Sequence, residues 1–236
     1  MARTITEQPS LFDGDAPVAP VRLDLPDADV VLHPAFLPDE RADRLFRELI
    51  DAVSWRQEVL RIHGKEVPVP RLSAWYGDPG TTYAYSRIRH EPNPWIAPLT
   101  EVRAVAERVA DAPLNCVLAN LYRDGADSVA WHADDEPELG PEPVIASVSL
   151  GATRRFQMRR RDDSMERVDL ELAHGSFLVM RGVTQRHWVH QIPKTARPVG
   201  PRINLTFRHI ARATHSEVQR RSAATRAKRR RVSVSG

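Results

Sequence analysis

His132, Asp134 and His190 are the residues of this sequence whose types and spacing are best suited to chemistry. The first two lie in Trp131-His132-Ala133-Asp134-Asp135-Glu136, the third in His187-Trp188-Val189-His190-Gln191-Ile192-Pro193. In an extended segment, residues two apart point to the same side, so His132 and Asp134 can grip one ion from one strand edge. His190 follows Asp134 by 56 residues, enough chain to return on another strand. Two imidazoles and a carboxylate cover one face of an octahedral metal and leave the other open, the ligand set of non-haem Fe(II) sites that activate O2. The open positions are where O2 and an electron-donating co-substrate would bind.

A second pattern fits such a co-substrate. In Arg202-Ile203-Asn204-Leu205-Thr206-Phe207-Arg208, polar and apolar residues alternate, so one face of a strand carries two guanidinium groups. On the inner face of a barrel each charge would cost several kcal/mol (about 3–5) unless paired. A bound dicarboxylate would pair them, because arginine offers a planar fork to a carboxylate. Asn120 and Tyr122 form another pair two apart, just before the histidine motif, and can hydrogen-bond the same acid.

The elements that must position these residues are legible from periodicity. A helix starts near Pro38-Asp39, with Ala42, Leu45, Phe46, Leu49, Ile50 and Val53 as its apolar stripe. A second runs from about Trp95 to Ala110, with Ile96, Leu99, Val102, Val105, Ala106 and Val109 inward. Between them, Gly64 in Arg61 to Lys65 signals a hairpin or loop. From Asn115 onward the chain reads as strands at 115–122, 144–150, 154–160, 166–172, 176–181, 187–192 and 202–210. Many short strands without intervening helices indicate a sandwich or barrel. With the helices ahead of the strands, the class is α+β. Residues 1–28, rich in Pro, Asp and Ala, read as an irregular N-terminal arm, and 29–211 as one domain.

Composition excludes several classes. Cys116 is the only cysteine, which rules out a disulfide framework or a cysteine-based zinc site and fits a reducing, cytoplasmic setting. No apolar run approaches the roughly 20 residues that span a bilayer, and the first 15 residues lack a secretory pattern. The net charge of +3 conceals an asymmetry: residues 212–236 carry eight basic side chains and one acidic, a tail of +7 on a body of −4. Such a tail is expected to be disordered and to attract polyanions.

Taken together, Asn120-Leu121-Tyr122, His132-Ala133-Asp134-Asp135-Glu136, Gly175-Ser176-Phe177-Leu178-Val179-Met180, His190-Gln191-Ile192-Pro193-Lys194 and Arg202 to Arg208 resemble the AlkB family of Fe(II)- and 2-oxoglutarate-dependent dioxygenases over roughly residues 30–211. Pro70-Arg71-Leu72-Ser73-Ala74-Trp75-Tyr76-Gly77 and Tyr83-Ala84-Tyr85-Ser86-Arg87-Ile88 resemble the nucleotide-recognition lid of its DNA- and RNA-repairing members, placed here at about 56–90. The resemblance implies a double-stranded β-helix, or jelly roll, buttressed by the N-terminal helices. It implies His132, Asp134 and His190 as iron ligands and Asn120, Tyr122, Arg202 and Asn204 as partners of 2-oxoglutarate. Arg202 would take the distal carboxylate, and Arg208 would lie near the metal-proximal one. The implied reaction uses Fe(II), 2-oxoglutarate and O2 to demethylate bases such as 1-methyladenine and 3-methylcytosine in DNA or RNA, releasing formaldehyde, succinate and CO2.

A base inside a duplex is out of reach of such a site and must be flipped or taken from a single strand. Stacking on an aromatic ring returns about 1–3 kcal/mol per base, and Trp75, Tyr83 and Tyr85 are the stacking candidates. Asp135 and Glu136 can meet the exocyclic amino group or the cationic methylated ring. In duplex-preferring members a hydrophobic finger intercalates. Here the corresponding loop reads Arg61-Ile62-His63-Gly64-Lys65, which predicts activity on single strands equal to or above that on duplex. Arg61, Lys65 and Arg71 are the candidate phosphate contacts. A monomer is expected, with no membrane association. Two alternatives stand beside this reading: the same cofactors acting on a protein, lipid or small molecule, and a catalytically silent nucleic-acid-binding module.

Overall fold

The computed structural model describes residues 3–4, 18–62, 64–81, 83–85, 88–162 and 164–211. Strands β1 (Arg3–Thr4), β2 (Val21–Arg22) and β3 (Asp29–His33) precede helix α1 (Asp39–Ala52). Strands β4 (Val59–Ile62), β5 (Lys65–Pro68), β6 (Leu72–Gly77), β7 (Tyr83–Tyr85) and β8 (Ile88–His90) lead to helix α2 (Ala97–Ala110). Then come β9 (Cys116–Tyr122), β10 (Val129–His132), β11 (Ile145–Gly151), β12 (Arg154–Arg160), β13 (Arg167–Leu172) and β14 (Phe177–Arg181). A short helix α3 (Thr184–His187), β15 (Trp188–Ile192) and β16 (Arg202–Arg208) complete the order.

The strands form a seven-stranded sheet, β2-β3-β14-β11-β16-β9-β6, and a five-stranded sheet, β1-β13-β12-β15-β10. Alternation along β16 sorts its side chains between two cores. Ile203, Leu205 and Phe207 pack with Leu45, Leu49, Leu99 and Val102 of the helices, behind the large sheet. On its other face, Leu178, Met180 and Tyr122 share a second core with Phe156, Met158, Trp188 and Ile192 of the small sheet. The two helices therefore buttress one face of the sandwich, and the interior between the sheets receives Arg202, Asn204, Thr206 and Arg208.

Both helices end for local reasons. Helix α1 follows Pro38, whose fixed φ suits a helix entry, and buries Ala42, Leu45 and Leu49. Helix α2 begins two residues later than its apolar pattern, with Ile96 extended and a proline in the first turn, and stops where Asp111 turns left-handed at φ 49°.

The N-terminal arm is less irregular than its composition indicates. Arg3–Thr4 pairs in parallel with β13, and Val21–Arg22 pairs with β3, so backbone hydrogen bonding overrides weak local propensity. Strand β3 and the short β10 also escaped the sequence patterns, which are weak over four or five residues. The Gly64 signal resolves as a tight hairpin: Ile62 pairs with Lys65, and Gly64 has φ 78°. His63 and residues 212–236, the basic tail, lie outside the described residues.

Candidate metal and co-substrate site

The triad is assembled by strand pairing. Strands β10 and β15 are antiparallel neighbours, and His132 sits directly opposite His190. A register shift between Val129 and His132 inserts one extra residue into β10 and helps set which way His132 points. One ligand atom from each of His132, Asp134 and His190 lies within 4.8 Å of the others, as a single ion would require. The His132 and His190 ring centroids are 4.3 Å apart, and His190 Nε2 is 3.7 Å from Asp134 Oδ2.

Protonation states suit ligation. His132 Nδ1 lies 2.8 Å from the Ala130 carbonyl, which can only accept, so Nδ1 donates there and Nε2 is the nitrogen left to face a metal. Burial, with His132 beside it, pushes His190 down to about 3, so its imidazole is neutral. Burial opposes the charge on Asp134, but Arg208 and the two histidines hold its carboxyl down at about 2. Arg208 Nη2 donates to Asp134 Oδ1 at 2.5 Å, and the Asp134 N–H donates to Gln185 Oε1 at 3.0 Å. The donor set, two imidazole nitrogens and one carboxylate oxygen within reach of one point, fits a divalent cation.

The cavity behind the triad is lined by Asn120, Tyr122, Ser147, Arg202, Asn204, Thr206 and Arg208. It is a small cavity of about 60 Å³. The ladder Arg202↔Tyr122 and Asn204↔Asn120 places these four side by side on one face. Arg202 is 1% exposed and forms no ion pair with any described residue. Its Nη2 donates to Ser149 Oγ at 2.8 Å and Asn204 Oδ1 at 2.9 Å, while Nε and Nη1 have no hydrogen-bond partner. Burial pushes it down to about 10, still a cation at neutral pH. Two unmet donors on a buried guanidinium fit one carboxylate of a dicarboxylic co-substrate.

Toward solvent the cavity opens into a groove lined by Leu60, Val67, Pro68, Trp131, Glu136 and Lys194, between the β4–β5 hairpin and the metal strand. Several sequence expectations are corrected there. Trp75 is 6% exposed, with Nε1 donating to the Thr81 carbonyl, so it is a core residue and not an open stacking platform. Arg71 is buried and donates from Nε to Asn120 Oδ1 at 2.8 Å, which makes it a wall of the site rather than a surface phosphate contact. Asp135 is exposed and paired with Arg161 at 2.5 Å outside the groove, whereas Glu136 lines it. Arg61 and Glu66 face each other at 3.8 Å on the exposed hairpin, beside exposed Lys65. The backbone pairs Tyr83 with His90 and Tyr85 with Ile88 in a two-stranded ribbon; those side chains, and that of Ile62, lie outside the described set. A separate cleft beyond Arg71, lined by Ser54, Arg56, Glu58 and Glu91, contains none of the triad.

Sequence reasoning missed Gln185, Ser147 and Ser149. The serines sit two apart in an otherwise apolar strand, Ile145–Gly151, a pattern that marks a polar interior face. Nothing local singles out Gln185, which reaches Asp134 from a four-residue helix.

Comparison with known proteins agrees with this geometry. The model of the 2OG-Fe(II) oxygenase superfamily matches residues 29–208. The alpha-ketoglutarate-dependent dioxygenase alkB homolog 3 of Mus musculus is 43% identical over 190 residues, covering 77% of this chain and 66% of that protein. The DNA oxidative demethylase ALKBH2 of Mus musculus is 44% identical over 179 residues, covering 72% and 75% respectively. The chain thus spans just under two thirds of the length of the homolog 3 relative. Among solved structures, OsALKBH1 superposes with a TM-score of 0.55 at 16% identity, covering 76% of this chain and 96% of the other, a likeness of fold. With a family model spanning the whole sandwich and relatives of this identity, the chain belongs to the 2OG-Fe(II) oxygenase superfamily and, within it, to the AlkB family, close to alkB homolog 3.

Proposed function

We propose that this protein is an Fe(II)- and 2-oxoglutarate-dependent dioxygenase that removes N-alkyl groups from nucleic-acid bases, 1-methyladenine and 3-methylcytosine being the expected lesions. The observation that carries the reading is the triad of His132, Asp134 and His190 placed at the head of a groove, beside a buried arginine that has no anionic partner among the described residues. The names of the relatives, dioxygenase and DNA oxidative demethylase, support the substrate class.

Bound iron with 2-oxoglutarate and O2 would supply the oxidising power, and oxidation of the N-methyl group leads to its loss as formaldehyde. The chain's own residues do the rest. Arg202, with Asn120, Tyr122 and Asn204 around it, binds and orients the dicarboxylate. Phe156 stacks on His190 at 5.2 Å between centroids and helps keep water from the ligand. Glu136, on the groove wall, offers a negative charge to a cationic methylated base. The exposed hairpin of β4 and β5 presents Leu60 and Val67 to a strand lying in the groove, with Arg61 and Lys65 exposed on the hairpin nearby. Because the loop sequence Arg61-Ile62-His63-Gly64-Lys65 lacks a large apolar aromatic, we expect single strands to be used at least as well as duplex. A monomer in a reducing, cytoplasmic setting fits the lone buried thiol of Cys116. No helix among the described residues is long and apolar enough to cross a membrane.

The test is mass spectrometry of a short single-stranded DNA carrying one 1-methyladenine, incubated with protein, Fe(II), 2-oxoglutarate and O2. Loss of one methylene mass that depends on 2-oxoglutarate is the expected result. Succinate formed without any change in the base would redirect the reading to another substrate.

A further inference from the structure

Arg154, at the start of β12, is 2% exposed and has no carboxylate in ion-pair contact among the described residues. Three backbone carbonyls hold it: Nη1 donates to Asp124 O at 2.9 Å, and Nη2 donates to Asp127 O and Pro193 O, each at 2.8 Å. Asp124 and Asp127 belong to the loop between β9 and β10, residues 123–128, which joins Tyr122 to the strand that ends at His132. Pro193 follows β15, three residues after His190. One guanidinium therefore ties the segment entering the triad to the segment leaving it.

The same group reaches the co-substrate side. Its Cζ lies 5.6 Å from the Tyr122 ring centroid, and that of Arg202 lies 5.3 Å from it, so the ring packs against two buried cations. Asp127 does not form an ion pair with Arg154, because Arg123 donates to its carboxylate from N, Nε and Nη2. Burial lowers the pKa of Arg154, opposed by Tyr122 and the two aspartates. A planar fork can meet carbonyls from two directions at once, which an ammonium on a flexible stem does less well.

We propose that Arg154 is a positioning residue for co-substrate binding: it fixes Tyr122 against Arg202 and locks the loop before His132 to the turn after His190, so that the carboxylate donors are in place before the ligand arrives. The proposal rests on the reading of Arg202 and Tyr122 as 2-oxoglutarate donors. Donors held in advance spare the ligand the cost of ordering them.

Calorimetric titration of 2-oxoglutarate into the anaerobic, Mn(II)-loaded full chain tests it, with Arg154→Met, Arg154→Lys and Arg202→Met compared. We expect Arg154→Met to weaken 2-oxoglutarate binding about tenfold, Arg154→Lys to recover only part of the loss, and Mn(II) affinity to stay at the parent value. In turnover the effect falls on KM for 2-oxoglutarate rather than on kcat. A residue that only supported the fold would reduce the folded fraction and leave the affinity of the remainder unchanged. Should Arg154→Met fail to fold, Arg154→Lys decides. Parent-level affinity in the Arg154 variants alongside loss in Arg202→Met overturns the proposal. Parent-level affinity in Arg202→Met as well overturns the reading of the carboxylate site beneath it.

Discussion

Arg202 and Arg208 stand at the two ends of β16, on the same face, both nearly inaccessible to water. Arg208 meets Asp134, a carboxylate of the protein itself, whereas Arg202 meets a serine, an asparagine and an aromatic ring. A buried guanidinium without an anion is tolerated only at a cost. One end of the strand is thus paired with an anion, and the other has none among the described residues, which is the place the proposed function gives to a dicarboxylate. Identical side chains in one strand have opposite electrostatic surroundings, and under the proposed function Arg208 would serve the metal and Arg202 the co-substrate.

The largest effect that could break this contrast is Asp134→Ala. It removes a metal ligand and strands the Arg208 charge, so turnover is abolished and stability falls by about 3–5 kcal/mol. Adding Arg208→Met should recover stability without activity. Urea denaturation and Fe(II) titration read both, and a stable Asp134→Ala single variant would count against the pairing. Arg202→Met should do the reverse. The unliganded protein holds its stability within about 1 kcal/mol, because no buried carboxylate is stranded. The 2-oxoglutarate concentration needed for half-maximal rate rises about 10- to 100-fold, the worth of a lost charge-assisted bond. The thermal stabilisation that 2-oxoglutarate gives the parent should vanish with it.

Acidification sharpens the comparison at the metal end. His190 is about 3 in the folded chain against an ordinary 6.5, so below 6.5 the unfolded state takes up a proton that the folded state refuses. Stability of the metal-free protein should therefore be full above about 6.5 and fall as pH drops from there toward about 3. Asp134 continues the decline, its contribution being present above 3.8 and lost as pH falls through about 2. Denaturation midpoints between pH 8 and pH 3.5, with chelator present, check the slope; a flat profile would mean that His190 titrates normally. The smallest expected effect lies outside the cavity. Lys65→Ala should leave the 2-oxoglutarate requirement unchanged and reduce the salt dependence of oligonucleotide binding by about one unit of slope.

Much of this was legible in the sequence because it depends on parity. Alternation placed Arg202, Asn204 and Arg208 on one face and Ile203, Leu205 and Phe207 on the other, and the two sheets realise that division. The amphipathic stripe of α1 was equally direct. What escaped depended on partners distant in sequence. Arg71 reads as a surface cation until Asn120, 49 residues away, is seen to hold it. Trp75 resembles a stacking surface until its strand is found between the sheet interior and Thr81. Asp135 and Glu136 are neighbours of like charge, and only the local turn sends one to Arg161 and the other to the groove.

The pairing of His132 directly opposite His190 makes the ladder between β10 and β15 the template on which two of the three candidate ligands are set. A slip of that register by one residue would turn a histidine to the opposite face of the sheet, so the extra residue between Val129 and His132 acts as a gauge for the whole triad.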